Sequence, residues 1–171
     1  LETLFQVLDE ESWIQFETGA IDEATYLKRM FARQPPSGMT SGAVRTTILN
    51  GYRFVDGLEE LLLELAARAT RIWALSNYPP WVSHIRHRLH LDRFFEGYAV
   101  SCDTGYRKPD PRAYTQLLET AGVPAGQCLF VDDRQQNIEA ARALQFNVLR
   151  FTGAAELRGE LVCQGLLAGR L

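Results

Sequence analysis

Hydrophobic positions fall into two textures along the chain. Over residues 1–50 they recur at helical spacings only. Leu4, Phe5, Leu8, Trp13, Ile14 and Phe16 lie within 1–17 at mixed helical steps, and Gly19 closes the run. This predicts one or two amphipathic helices with a glycine stop. Asp22 is placed to cap a second helix with Tyr26, Leu27, Met30 and Phe31 on one face. Pro35 and Pro36 predict a turn over 34–38. A third helix is predicted over 41–49, ended by Asn50 and Gly51.

From residue 51 the pattern changes. Residues 58–68 read as a strongly amphipathic helix. Short apolar runs at 71–75, 97–101, 128–131 and 147–151 predict strands, and helices over 81–89, 112–121 and 137–144 separate them. Strands alternating with helices imply a parallel sheet covered on both faces. The expected fold is therefore α/β and Rossmann-like, with a small helical lobe over 1–50 and an α/β core over 51–171. In such sheets ligands bind outside the carboxyl ends of the strands, so polar residues at those ends carry the interest.

Composition narrows the partners. With 46% hydrophobic and 23% charged residues the chain suits a globular domain, and its net charge of −3 lacks the basic field a nucleic-acid binder needs. Small anionic ligands remain compatible, because a few local donors hold a phosphate. Cys102, Cys128 and Cys163 are odd in number and form no CxxC pair, which disfavours a thiolate metal site or a disulfide framework. No apolar run approaches the roughly 20 residues that span a bilayer, so no membrane partner is expected. The chain begins at Leu1 rather than Met, and an upstream segment, with any targeting signal, is expected to precede it.

Three loops hold the candidate chemistry. Ser76-Asn77 follows the run at 71–75, Lys108 follows 97–101, and Asp132-Asp133 follows 128–131. If these strands are parallel neighbours, the loops meet on one edge. Adjacent carboxylates at a buried strand end repel each other and call for a cation. Magnesium takes oxygen ligands, often one or two carboxylates plus substrate phosphate. Asp133 is equally suited to cap the next helix. Lys108 offers a point charge for a phosphate, or it is a solvated surface lysine. Pro109 and Pro111 stiffen the backbone beside it. Ser76 and Asn77 supply a hydroxyl and an amide that hold a phosphate or cap a turn. His84, His87 and His90 step by three along one helix among arginines. They spread over too wide an arc to close one metal site.

The order and spacing of "ALSNYPPW", "RKPDPRAY" and "LFVDDRQQNIEAARAL" resemble motifs II, III and IV of the haloacid dehalogenase-like hydrolases, over about 52–151. The region 1–50 resembles the C1-type cap of that superfamily. The resemblance implies a phosphate-ester hydrolase working through an aspartyl-phosphate. Ser76 would hold the transferring phosphoryl oxygen, Asn77 would support that loop or touch substrate, and Lys108 would neutralise nucleophile and phosphate. Asp132 and Asp133 would position Mg2+, and Asn137 would brace the last loop. An acidic pair at 132–133 is similar to the magnesium-dependent phosphatases rather than the metal-free dehalogenases. The cap and "SNYPPW" resemble the branch containing plant and algal FMN hydrolases, which implies a small phosphorylated metabolite as substrate and a cytoplasmic or plastid-stromal location. Trp13, Phe16, Tyr26 and Phe31 either stack on a flat ring there or pack the cap.

One departure matters. The family's first motif, DxDx(T/V) at the end of the first strand, carries the nucleophile and the general acid–base. Asp9 follows apolar residues but lacks the second aspartate and sits in a helical pattern. The expectation is that this motif lies upstream, and that the chain alone is inactive and poorly folded for want of a central strand. A non-catalytic phosphate-binding module and a 2-haloacid dehalogenase are the alternatives.

Overall fold

The computed structural model describes residues 7–168, so the predicted contributions of Leu4 and Phe5 lie outside the described residues. Among the described residues three helices come first, and each is capped by the side chain before it. Asp9 accepts from Ser12 N at 2.7 Å to start α1 (Glu10–Glu17), and Asp22 accepts from Thr25 N at 2.8 Å to start α2 (Glu23–Arg29). Thr40 accepts from Ala43 N at 3.2 Å to start α3 (Ser41–Gly51). Such caps satisfy amide donors that the first turn leaves unpaired. The second helix stops at Arg29, short of its predicted face. Asp9 N donates to Met30 O at 2.8 Å and Ala32 N to Val7 O at 2.9 Å, which pulls Met30 and Phe31 into an antiparallel bridge instead.

The remaining elements alternate. They are α4 (Leu58–Ala66), β1 (Trp73–Ser76), α5 (Val82–Leu89), β2 (Gly97–Val100), α6 (Ser101–Thr104), α7 (Pro111–Ala121), β3 (Leu129–Asp132), α8 (Gln135–Ala143), β4 (Asn147–Arg150) and α9 (Ala154–Cys163). This is the α/β architecture that the alternation predicts. The one-turn α6 replaces the end of a predicted strand, and α9 is an element that the hydrophobic pattern does not predict. Gly159 interrupts the pattern of α9, whose Leu161 is nonetheless buried beside Leu61 of α4. None of the described helices is long and apolar enough to cross a membrane.

The four strands among the described residues pair in parallel, but as two separate pairs. Trp73 to Ser76 of β1 lie beside Gly97 to Val100 of β2, and Leu129 to Asp132 of β3 beside Asn147 to Arg150 of β4. Among the described residues no strand joins β1 to β3. Every residue of β1 is only half-buried, unlike a strand inside a covered parallel sheet. Helix α7 spans both pairs instead. Its Tyr114 meets the rings of Phe130 and Phe146 edge-on, at 5.3 and 6.1 Å, and Leu75 of β1 packs on the same cluster. A second core joins the helical segment to the start of α5: Phe16, Tyr26, Met30, Val44 and Leu49 bury Trp81.

Candidate active site at the strand ends

Ser76 and Asp132 are the last residues of β1 and β3, one position inside the strands rather than in the loops beyond. From there the backbone brings the third loop between them. The Asn77 amide spans the peptide of Lys108: Lys108 N donates to Asn77 Oδ1 at 2.7 Å, and Asn77 Nδ2 donates to Lys108 O at 2.8 Å. An amide is well matched to this task, since it offers one acceptor and one donor side by side. The Lys108–Pro109 peptide is cis. Beyond it, Asp110 accepts from Arg112 N at 2.9 Å and caps α7, with Pro111 in the first turn. Arg112 holds the Asp110 carboxyl down to about 2.

With its backbone fixed, Lys108 crosses to the other strand pair. Its Nζ donates to Asp132 Oδ2 at 2.7 Å, and the two side chains are 12% and 6% exposed. The other oxygen of Asp132 accepts from Arg134 N and from Asn137 Nδ2, both at 2.9 Å. Burial alone raises this carboxyl, but Lys108, the Arg134 amide and Asn137 together hold it below its ordinary value. Asn137 is itself 3% exposed, and Tyr114 Oη donates to its carbonyl at 3.0 Å. Asn137 thus ties the start of α8 to the end of β3.

Asp133 behaves differently. It is exposed, and its carbonyl accepts from Arg150 Nε at 3.2 Å. It does not cap α8, whose N-cap residue is Arg134 with no side-chain cap bond. The Arg134 amide is taken by Asp132 instead. His84, His87 and His90 are all exposed or half-buried on α5 and its C-cap, and no cluster of three metal-ligating side chains occurs among the described residues. Phe16 and Tyr26 are fully buried and stacked at 4.8 Å, so these two rings serve packing.

Sequence reasoning missed a second layer. Ser101 is 1% exposed, and its Oγ accepts from Tyr78 N at 3.0 Å and donates to Glu17 O at 2.6 Å. Glu17 is 5% exposed and sits against Arg107, the residue before Lys108. Nothing local in the sequence marks Ser101 or Glu17, which lie 84 positions apart.

The arrangement sets a largely buried ammonium, that of Lys108, at the strand ends, where it is available to an anion. Comparison with known proteins identifies the family. A family model described as haloacid dehalogenase-like hydrolase matches residues 20–145. Flavin mononucleotide hydrolase 1 of Arabidopsis thaliana is 34% identical over 154 residues, covering 90% of this chain. The chain spans 62% of that relative's length. A sesquiterpene phosphatase of Aspergillus oryzae is 27% identical over 153 residues, covering 89% of this chain and 78% of the relative. Among solved structures, a haloacid dehalogenase family enzyme from Bacteroides thetaiotaomicron, in complex with magnesium and inorganic phosphate, shares the fold. Its TM-score is 0.70 at 17% identity, over 89% of this chain and 84% of that one. The chain belongs to the haloacid dehalogenase-like hydrolases.

Proposed function

We propose that this chain carries the phosphate- and metal-binding side of a magnesium-dependent phosphate-ester hydrolase whose substrate is a small phosphorylated metabolite. The carrying observation is the convergence of Lys108 on Asp132 while the loop after Ser76 holds the Lys108 peptide. An ammonium poised over a strand end is suited to neutralise a phosphate and the charge that develops during its transfer. Ser76 holds a phosphoryl oxygen, and Asn77 fixes Lys108. When phosphate enters, Lys108 has a second anion to engage beside Asp132.

The residues fit magnesium. Asp132 and Asp133 offer hard oxygen donors, and the buried Asn137 Oδ1 beside them has no hydrogen-bond partner. A site of one or two carboxylates completed by water and substrate phosphate suits this ion. Bound there, it would neutralise phosphate charge. The reading requires a nucleophilic aspartate, and a strand joining β1 to β3 would be a fitting place for it. The helical segment over 1–50 is read as a cap, and the protein as one of the cytoplasm or plastid stroma. The relatives' names make flavin mononucleotide the first substrate to try.

The test is hydrolysis of p-nitrophenyl phosphate and flavin mononucleotide by the full-length protein. Turnover should require magnesium and vanish in Asp132→Asn. Turnover without the metal, or undiminished in Asp132→Asn, overturns the reading, and chloride release from a 2-haloacid would replace it with a dehalogenase. The unjoined strand pairs also favour a second reading, a phosphate-binding module without turnover. Binding of inorganic phosphate with no hydrolysis in the full-length protein selects it.

A further inference from the structure

Besides the packing of Trp13 and Phe16 on Trp81, helix α1 meets the α/β core through one polar residue used twice. The carbonyl of Glu17 accepts from Ser101 Oγ at 2.6 Å, and its carboxylate Oε2 lies 3.0 Å from Arg107 Nη2. The other carboxylate oxygen accepts from Trp13 Nε1 at 2.6 Å. Two residues on, Gly19 passes so close to Cys102 that a Cβ would lie 2.5 Å from the Cys102 carbonyl oxygen. The carbonyl bond and the glycine contact already seat the helix. A partly buried ion pair adds little to stability, because desolvation of the carboxylate offsets much of the attraction. What the carboxylate adds is a hold on Arg107.

That hold bears on Lys108. A lysine stem is long and flexible, and its charge goes where its backbone and neighbours send it. Asn77 grips the Lys108 peptide from the β1 side. Glu17 grips the preceding side chain from the helical side. We propose that Glu17 and Arg107 are a positioning pair that sets the stance of Lys108 over Asp132, so that seating of the helical segment becomes a condition for phosphate binding. The phosphate clause rests on the hydrolase reading; the stance of Lys108 does not.

The sequence supplies a clean probe, because its lysines are Lys28 and Lys108 alone. Lys28 is exposed, whereas the Lys108 side chain is 12% exposed and paired. Competitive amine labelling, read by mass spectrometry, gives the Lys108-to-Lys28 ratio in one sample. Glu17→Gln and Arg107→Gln should each raise that ratio roughly tenfold, the scale on which outer partners act on a charged site, and the double variant should raise it no further. Arg158→Gln, which breaks a remote pair with Glu64, is the control for general loosening. An unchanged ratio in the two single variants overturns the proposal, as does an equal rise in Arg158→Gln. Far-UV circular dichroism checks that each variant is folded. Titration with inorganic phosphate and magnesium is the second arm: affinity should fall about tenfold in Glu17→Gln. If the wild-type chain binds no phosphate, the hydrolase reading fails, and the labelling ratio still decides the role of the pair.

Discussion

Replacing Asn77 by alanine tests the clamp that places Lys108. The substitution removes two hydrogen bonds, Lys108 N to Oδ1 at 2.7 Å and Nδ2 to Lys108 O at 2.8 Å, both partly buried. A typical internal hydrogen bond contributes about 0.5–1.5 kcal/mol net, so the pair amounts to about 2 kcal/mol. For a domain of this size each kcal/mol moves the midpoint by about 2–4 °C, giving a fall of about 4–8 °C. Asn77→Asp sharpens the test. It keeps an acceptor for Lys108 N but sets an oxygen against Lys108 O, so it should lose at least as much. Thermal unfolding by circular dichroism and urea unfolding by tryptophan fluorescence measure both variants. If both stay within about 0.5 kcal/mol of wild type, the range of an ordinary surface substitution, the clamp does not hold the loop.

Lys108→Met leaves the buried Asp132 carboxylate without its ammonium and should cost about 3–5 kcal/mol in the same urea assay. Asp132 sits below its ordinary value of 3.8, so its contribution is complete above that pH and is lost as pH falls through the lower folded value. Urea unfolding from acid to neutral pH should show this acid loss in wild type and a flatter curve in Asp132→Asn. Burial of Glu17 outweighs Arg107 and Trp13 and raises its carboxyl, so its contribution is complete below its ordinary 4.5 and is lost as pH rises through the folded value. Glu17→Gln should therefore be at least as stable as wild type at neutral pH, by the same titration series. Gly19 has φ of +71°, and its absent Cβ would meet the Cys102 carbonyl, so Gly19→Ala should lower stability by about 2–3 kcal/mol in thermal unfolding.

Local signals served well where local physics decides the outcome. Asp22 announces the cap of α2, and Gly122 ends α7 in the left-handed conformation that glycine favours. The polar residues at the strand ends include Asn77, which holds the Lys108 peptide, and Asp132, which accepts from Lys108 Nζ. Non-local contacts stayed hidden. Met30 and Phe31 carry a helical pattern, yet backbone pairing with Val7 and Asp9 takes them out of the helix. Ser101 reads as a strand end and Glu17 as a polar position on α1, and their joint role exists only once β2 and α1 are folded together. Asp133 looks equal to Asp132 in sequence, but Asp132 ends β3 buried, whereas Asp133 lies past the strand and is exposed. The division into two strand pairs depends on which strands are at hand to pair, a property of the sheet that no single strand's pattern carries.

The most direct test of a phosphate site at these strand ends is calorimetric titration of inorganic phosphate, with and without magnesium, into the wild-type chain and Lys108→Met. Binding that strengthens with magnesium and is abolished by Lys108→Met is the predicted result. Absence of binding to the wild type, or equal binding to Lys108→Met, would contradict the assignment of Ser76, Lys108 and Asp132 to phosphate and metal.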